Sequence, residues 1–481
     1  MGILSRLIHI QMIYYLILLC SVTLSDDIEL THTVNDNNII ELNSYYIINQ
    51  IIKEEHVQNY NDIQINIDIN VPSPYKYIRY IPPNTNNSEI SNIRIFGHGF
   101  SDSEDLSQKK LFRPTNLPLM IINTENSKEI TSLDYYINSS IIIINKNKMD
   151  LNTTAEIRLR GHSTSTRPKK PYKIKFTKKQ KLLDIDGKYK KWAILANHYD
   201  ISLIRNILAF KISEMIGLEF TPRCEPVDVI VNGNFKGNYF VCDQVEVKEG
   251  RVDIEEISDD DISGGYLLEI DQRATKEEKY FLTEKGLIGE IKYPDSDDIT
   301  KEQENYIKKF LNKLEKNVYL GKLKYIDLYS FYRYFIIQEF CGDIDTVLSS
   351  FNVHKKKGDN KLYFGPVWDY DLSFDNDPRL IPTNNKPKFA FYYGSSAGST
   401  RDFIITILKT KNVMKEINET WFELREDGLD YETLKYFIEY KKELLFESML
   451  KWYNSKIGEG KKDYYTNIEI IYNYLNKDLI D

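Results

Sequence analysis

From residue 117 to residue 270 the apolar residues come in short runs split by turn-forming residues, whereas beyond residue 301 they recur every three or four positions. This order constrains the fold more than any other feature of the chain. Short runs bounded by Gly, Pro and Asn read as strands, and a three-to-four spacing reads as one buried helix face. Strands are expected at residues 117–122, 141–144, 156–159, 172–176 and 266–270, with hairpins over 227–241 and 349–368. Helices are expected from Ser202, as its cap, to 216, then over 301–319 and 328–340, with a mostly helical tail over 403–479. Strands and helices are therefore partly segregated, which is the pattern of an α+β protein rather than a regular alternating α/β one.

The N-terminus differs in texture. Arg6 precedes an apolar run over residues 12–24, with small residues before Asp26 and Asp27. This is the form of a secretory signal peptide over 1–25, and the run is too short for a typical membrane span. Residues 26–115 are Asn-rich and strand-like in pieces, with alternation over 63–71, and form a β-rich lead-in. Residues 116–481 make the main domain. No later stretch reaches transmembrane length, so no stable membrane span is expected once the leader is removed. The chain has 63 Lys and Arg against 71 Asp and Glu, and no basic domain stands out. A nucleic-acid binder that works by neutralising phosphates is excluded on that balance.

Three cysteines lie beyond the leader. Cys224 and Cys242 flank a hairpin whose turn includes Asn232 and Gly233. A loop centred on Gly233 would set them face to face; a two-residue Asn-Gly turn would shift them by one, so both pairing states stay open. Cys341 reads as a buried thiol. Acceptor triplets for N-glycans occur at Asn86, Asn138, Asn152 and Asn418.

Several segments could carry chemistry. Residues 158–176 run from a strand through a Gly/Ser/Thr loop into a strand bearing Lys173 and Lys175. Backbone N–H groups and hydroxyls of such a loop can cover phosphates, and a strand lysine can pair with their charge, although an exposed basic hairpin has the same composition. Glu269 and Asp271 share one side of a strand, and Asp343 and Asp345 follow an apolar helix. The most informative segment is 365–374, where Asp369 and Asp371 follow an apolar strand. Two carboxylates two apart on one side repel unless solvated or bridged by a cation, and oxygen-only ligands suit Mg²⁺. Residues 394–398 fit the G-x-S-x-G pattern of serine hydrolases, but that triad needs a His after the Ser, and every histidine precedes Ser396. No His/Cys cluster has zinc-ligand spacing.

Taken together and in this order, the segments 158–176, 192–206, 227–241, 264–271 and 362–374 resemble the CotH family, spore-coat-protein-H-like proteins of bacteria and fungi. The resemblance implies an atypical protein-kinase-like fold with a mixed or antiparallel sheet and a helical C-terminal lobe. It implies a secreted kinase that uses ATP with Mg²⁺ or Mn²⁺ to phosphorylate a Ser-rich segment of a coat or extracellular protein. Carried over by position, Lys175, or second to it Lys173, engages the nucleotide phosphates. Arg160 and the loop from Ser163 to Thr166 lie over them, and Glu269 partners the lysine. Asp345 is the catalytic base, and Asp369 and Asp371 hold the metal. Three positions depart from the family pattern: His162 in the loop, Ile201 where a lysine is common, and Ser350 where an Asn is common. Two alternatives use the same scaffold, a non-catalytic surface protein such as an adhesin and an ATP-binding pseudokinase. The sequence carries no mark of an oligomeric state.

Overall fold

A computed structural model describes residues 39–42, 77–80, 115–145, 148–161, 163–258, 261–274, 279–295, 297–343, 345, 348–377, 398–454 and 460–479. The expected signal peptide, the 63–71 alternation, His162, Asn86 and most of the 394–398 motif lie outside the described residues. Contacts divide the chain into two units, residues 1–114 with 146–152, and residues 115–145 with 153–481. In the first, strands β1 (Ile39–Leu42) and β2 (Tyr77–Tyr80) pair in parallel.

The second unit begins with seven strands: β3 (Leu119–Thr124), β4 (Ile137–Asn145), β5 (Lys148–Leu159, in this unit from Thr153), β6 (Tyr172–Gln180), β7 (Tyr189–Leu195), β8 (Cys224–Val231) and β9 (Asn234–Asp243). They close into a barrel in the order β3-β4-β5-β6-β7-β9-β8, the parallel β3–β8 pair completing the ring. The chain is mixed α and β, as expected, and these seven strands form a closed barrel, which the sequence reading did not state. Alternation explains its two surfaces: in β6, Tyr172, Ile174 and Phe176 are buried while Lys173 and Lys175 lie on the other side. Helix α1 (Arg205–Met215) leaves the barrel after β7. It starts three residues later than Ser202, because Asp200 takes the capping role and accepts the Arg205 N–H at 2.9 Å.

A second sheet follows, of β10 (Tyr266–Ile270), β11 (Tyr280–Leu282), β12 (Ile288–Tyr293), β13 (Phe351–Lys355) and β14 (Tyr363–Phe364), antiparallel in the order β11-β12-β10-β13-β14. Between its strands run α2 (Lys301–Tyr319) and α3 (Leu328–Cys341). Helix α2 starts with a full Thr300–Gln303 capping box and buries Ile307, Phe310, Leu311, Leu314 and Val318, one stripe at helical spacing. Asp327 caps α3, and Gly342 ends it in the left-handed region at φ 65°. Helices α4 (Gly398–Leu408), α5 (Val413–Glu426), α6 (Tyr431–Asn454) and α7 (Gly460–Leu479) complete the unit. No helix among the described residues is long and apolar enough to cross a membrane.

Cys224 and Cys242 form a disulfide. The turn is the two-residue Asn232–Gly233 type, since Val231 pairs with Asn234, which alone would set the cysteines one residue out of register. A bulge between Val229 and Ile230 on one strand and Phe235 and Gly237 on the other restores it. Gly237 permits the bulge: its φ is +92°, and a Cβ there would lie 2.5 Å from the Trp452 indole of α6. The bond closes a separation of 18 residues, which on chain-entropy grounds stabilises the fold by about 3 kcal/mol. The Cys224→Ser, Cys242→Ser double variant should lose about 2–4 kcal/mol in denaturant unfolding, and an unchanged midpoint would show that the ladder alone holds this hairpin. Cys341 is a buried free thiol, as its sequence context suggests. The β8–β9 hairpin is also tied to α6 through buried Asp228, which accepts from Thr115 at 2.7 Å and from the Ser448 hydroxyl.

Candidate functional site

Where the barrel meets the second sheet, a cavity of about 250 Å³ opens. The barrel side contributes Arg160, Gly161, Ser163 and Thr164 from the loop after β5, Asn197 and His198 from the end of β7, Asn206 of α1, and Gln244 and Val245 just past β9. The opposite side contributes Glu269 of β10 and Asp271 just past it, Lys292 of β12, Asp345 and Ser350 from the stretch after α3, and Trp368, Asp369 and Asp371 from the stretch after β14. Six of the eight residues singled out in the sequence line this one space: Arg160, Ser163, Glu269, Asp345, Asp369 and Asp371.

The two strand lysines do not line it. Lys175 is paired with Glu156 at 3.3 Å, and its side chain is 44% exposed. Lys173 lies opposite Ala193, which packs into the core under the second sheet, so Lys173 faces that layer. Burial, then the charges of Arg158, Lys191, Arg160 and Lys292, push its ammonium down to about 7. A different lysine, Lys292, occupies the wall. Lys292 reaches Glu269 at 3.3 Å and Glu290 at 2.9 Å. Burial works against its charge, but the two carboxylates outweigh burial and hold its pKa above the ordinary lysine value. Glu269 pairs here with Lys292. Its other oxygen accepts the Ser350 N–H at 3.1 Å.

The acids sit in an opposite environment. Asp371 is 8% exposed, and burial followed by the charges of Asp369, Asp200, Asp345 and Asp343 pushes its pKa well up. Asp369 is shifted the same way by burial and Asp345, against Arg160. Its backbone is left-handed, with φ 71°, a conformation that non-glycine residues hold only when their surroundings enforce it. Those surroundings are visible. His354 Nδ1 lies 3.1 Å from the Gly365 carbonyl, and Asn352 donates to the Pro366 carbonyl at 3.1 Å. Asn206 accepts the Tyr370 N–H at 2.7 Å while donating to Asn197 at 3.2 Å. Buried Arg205 grips the Ser373 carbonyl at 3.0 Å.

Against these acids stand unfilled donors. Arg160 stacks its guanidinium over Trp368 at 4.8 Å, and its Nη1 is buried with no hydrogen-bond partner. The Nδ2 of Asn197 is likewise buried and unmatched. Buried polar groups are almost always paired, so two unmatched donors in one cavity are the feature expected where an anionic group binds. Among the described residues no three His, Cys, Asp or Glu side chains form a ready-made metal cluster. A hard cation shared with phosphate oxygens needs only one or two carboxylates from protein, and Asp369 with Asp371 fits that donor set.

Barrel, second sheet and cavity thus define a protein that sets anion-binding donors against a pair of repelling carboxylates. The family model described as CotH kinase protein matches residues 157–479, and the chain belongs to that family. A comparison with the curated proteins finds no match.

Four contributors escaped sequence reading. Lys292 had a weak signal, the Glu290–Ile291–Lys292 alternation that puts both charges on one strand face. Nothing local marked Asn197, Asn206 or Gln244.

Proposed function

We propose that the protein is a secreted protein kinase of the CotH type, transferring the γ-phosphate of ATP to Ser or Thr of an extracellular or coat protein. The observation that carries this reading is the convergence, in one cavity, of unmatched donors on Arg160 and Asn197 with Lys292 and three acids from two separate segments. Arg160, Lys292 and the Ser163–Thr164 loop bind and orient the phosphates. Asp369 and Asp371 hold Mg²⁺ or Mn²⁺, which when bound neutralises charge on the phosphate oxygens. Asp345 accepts the proton of the acceptor hydroxyl as its oxygen bonds to the γ-phosphorus and the bond from that phosphorus to the bridging oxygen breaks. Little else is required of the protein, because phosphoryl transfer depends on positioning and electrostatics. Secretion is supported by the leader-like residues 1–25 and by the disulfide, a bond that persists in oxidising compartments. Asn138, Asn152 and Asn418 are exposed, as N-glycan acceptors must be.

Purified protein incubated with γ-labelled ATP, Mg²⁺ or Mn²⁺ and a Ser-rich acceptor should transfer label. Asp345→Asn should lower the rate by about 10²–10⁴-fold while still binding nucleotide. Transfer that is unchanged in Asp345→Asn would remove that residue from the chemistry. Nucleotide binding with no transfer in the wild type would favour the pseudokinase reading, which Ser350 supports because its hydroxyl reaches less far and is a weaker metal ligand than the carbonyl of the Asn common there. Absence of nucleotide binding would favour a non-catalytic surface protein.

A further inference from the structure

The cavity wall holds a third unmatched atom. The Oε1 of Gln244 is buried and has no hydrogen-bond partner, and Gln244 is the first residue after β9, in the link between the barrel and the second sheet. Its position along the cavity follows from strand register. In the β7–β9 ladder Leu195 pairs with Phe240 and Trp192 with Asp243. Asn197 therefore continues from one end of the ladder and Gln244 from the other. At about 3.3 Å per residue they are separated by roughly 15–20 Å along the strands. The acids belong to the Asn197 end, because Asn206 bridges Asn197 to the backbone of Tyr370, between Asp369 and Asp371. Gln244 thus marks the end of the cavity remote from the metal-binding carboxylates and from the phosphates they would share.

A nucleoside triphosphate whose phosphates lie by the acids must put its base at the other end. An unmatched acceptor there calls for a donor on the base, and adenine carries one in its exocyclic amino group. A glutamine amide is also able to pair with two edge atoms of adenine at once. We propose that Gln244 is a specificity-determining residue that accepts the 6-amino group of adenine on Oε1. This rests on the nucleotide reading of the cavity given above.

The test compares ATP with purine riboside 5′-triphosphate, which lacks only the 6-amino group, by calorimetric titration of the full chain with Mg²⁺ present. Wild type should bind ATP about tenfold more tightly, the value of one buried hydrogen bond whose loss strands its acceptor. Gln244→Leu should remove the difference by weakening ATP alone. Gln244→Glu, which can only accept at this position, should retain the preference. Equal affinities of wild type for the two nucleotides would overturn the assignment, as would a preference that survives in Gln244→Leu. Should the leucine variant fail to fold, the wild-type comparison decides by itself. If wild type binds neither nucleotide, the reading of the cavity as a nucleotide site fails and the role of Gln244 fails with it.

Discussion

Asp371→Asn should abolish Mg²⁺-dependent stabilisation by ATP, lower phosphate transfer on the order of 10³-fold, and at the same time make the ligand-free protein more stable. The two halves of this expectation share one cause. Asp371 is 8% exposed and is surrounded by the carboxylates of Asp369, Asp200, Asp345 and Asp343. Asp200 is neutralised by its ion pair with Arg205 at 2.6 Å. In the absence of a cation the cluster is self-repelling, so replacing one member with a neutral isostere relieves it, by about 1–2 kcal/mol. With nucleotide and metal present the same charge becomes a ligand. Saturating ligand at a hundred times its Kd stabilises wild type by about 2.7 kcal/mol, and that increment should vanish. Removing a metal's charge stabilisation of several kcal/mol accounts for the loss in rate. Thermal unfolding with and without Mg²⁺ and ATP, set beside the transfer assay, reads all three quantities. A variant less stable than wild type without ligand, yet still stabilised by it, would show that Asp371 is structural. Asp369→Asn should behave alike in the ligand effects, with a smaller gain in ligand-free stability because Arg160 already offsets part of its charge.

Arg205→Ala should be the most destabilising single change in the domain, at about 3–5 kcal/mol. Both side chains of the Arg205–Asp200 pair are 0% exposed. The guanidinium also donates to the Ser373 carbonyl, to the Ser202 hydroxyl at 3.2 Å and to the Asn467 side chain at 3.3 Å. Alanine leaves Asp200 as an unpaired buried charge and strips acceptors in three separate segments. Lysine is no remedy, since one ammonium cannot reproduce a planar fork of donors. Denaturant unfolding of Arg205→Ala and Arg205→Lys measures the effect. A loss under about 1 kcal/mol would mean that water enters and satisfies Asp200.

How far the residues announced this arrangement depends on the range of the force involved. Helix α2 was legible to its end residues because its signals are local: an N-cap, an apolar stripe and a length that suits both. Strand β10 was equally plain. Strand β7 gave no strand signal, since Trp192, Ala193 and Ile194 are all buried and show no alternation. Closure of the barrel was invisible, because it rests on β3 pairing with β8, with Leu119 opposite Asp228. The acids and Arg160 stood out because unpaired like charges and a Gly-rich loop are costly to explain otherwise. Lys292 did not, because its partnership with Glu269 exists only once β12 pairs with β10. The disulfide was undecided for a different reason: one bulged residue just past the turn, between Phe235 and Gly237, settled the register.

The grip of Arg205 on Asn467 has a consequence in time. A ribosome makes Asn467 262 residues after Arg205, a delay of roughly 10–50 s at ordinary rates of synthesis. The same late helix sets Tyr474 edge-on against Phe374, just beyond the paired acids, with ring centres 5.7 Å apart. Barrel, second sheet and both carboxylates are therefore already outside the ribosome before the last brace behind them exists. If the cavity takes ATP as proposed, nascent chains stalled ahead of residue 460 should fail to bind it, whereas chains extended past residue 479 should bind it. The order of translation would then act as a safety catch, withholding a formed cavity until the helix behind it has been made.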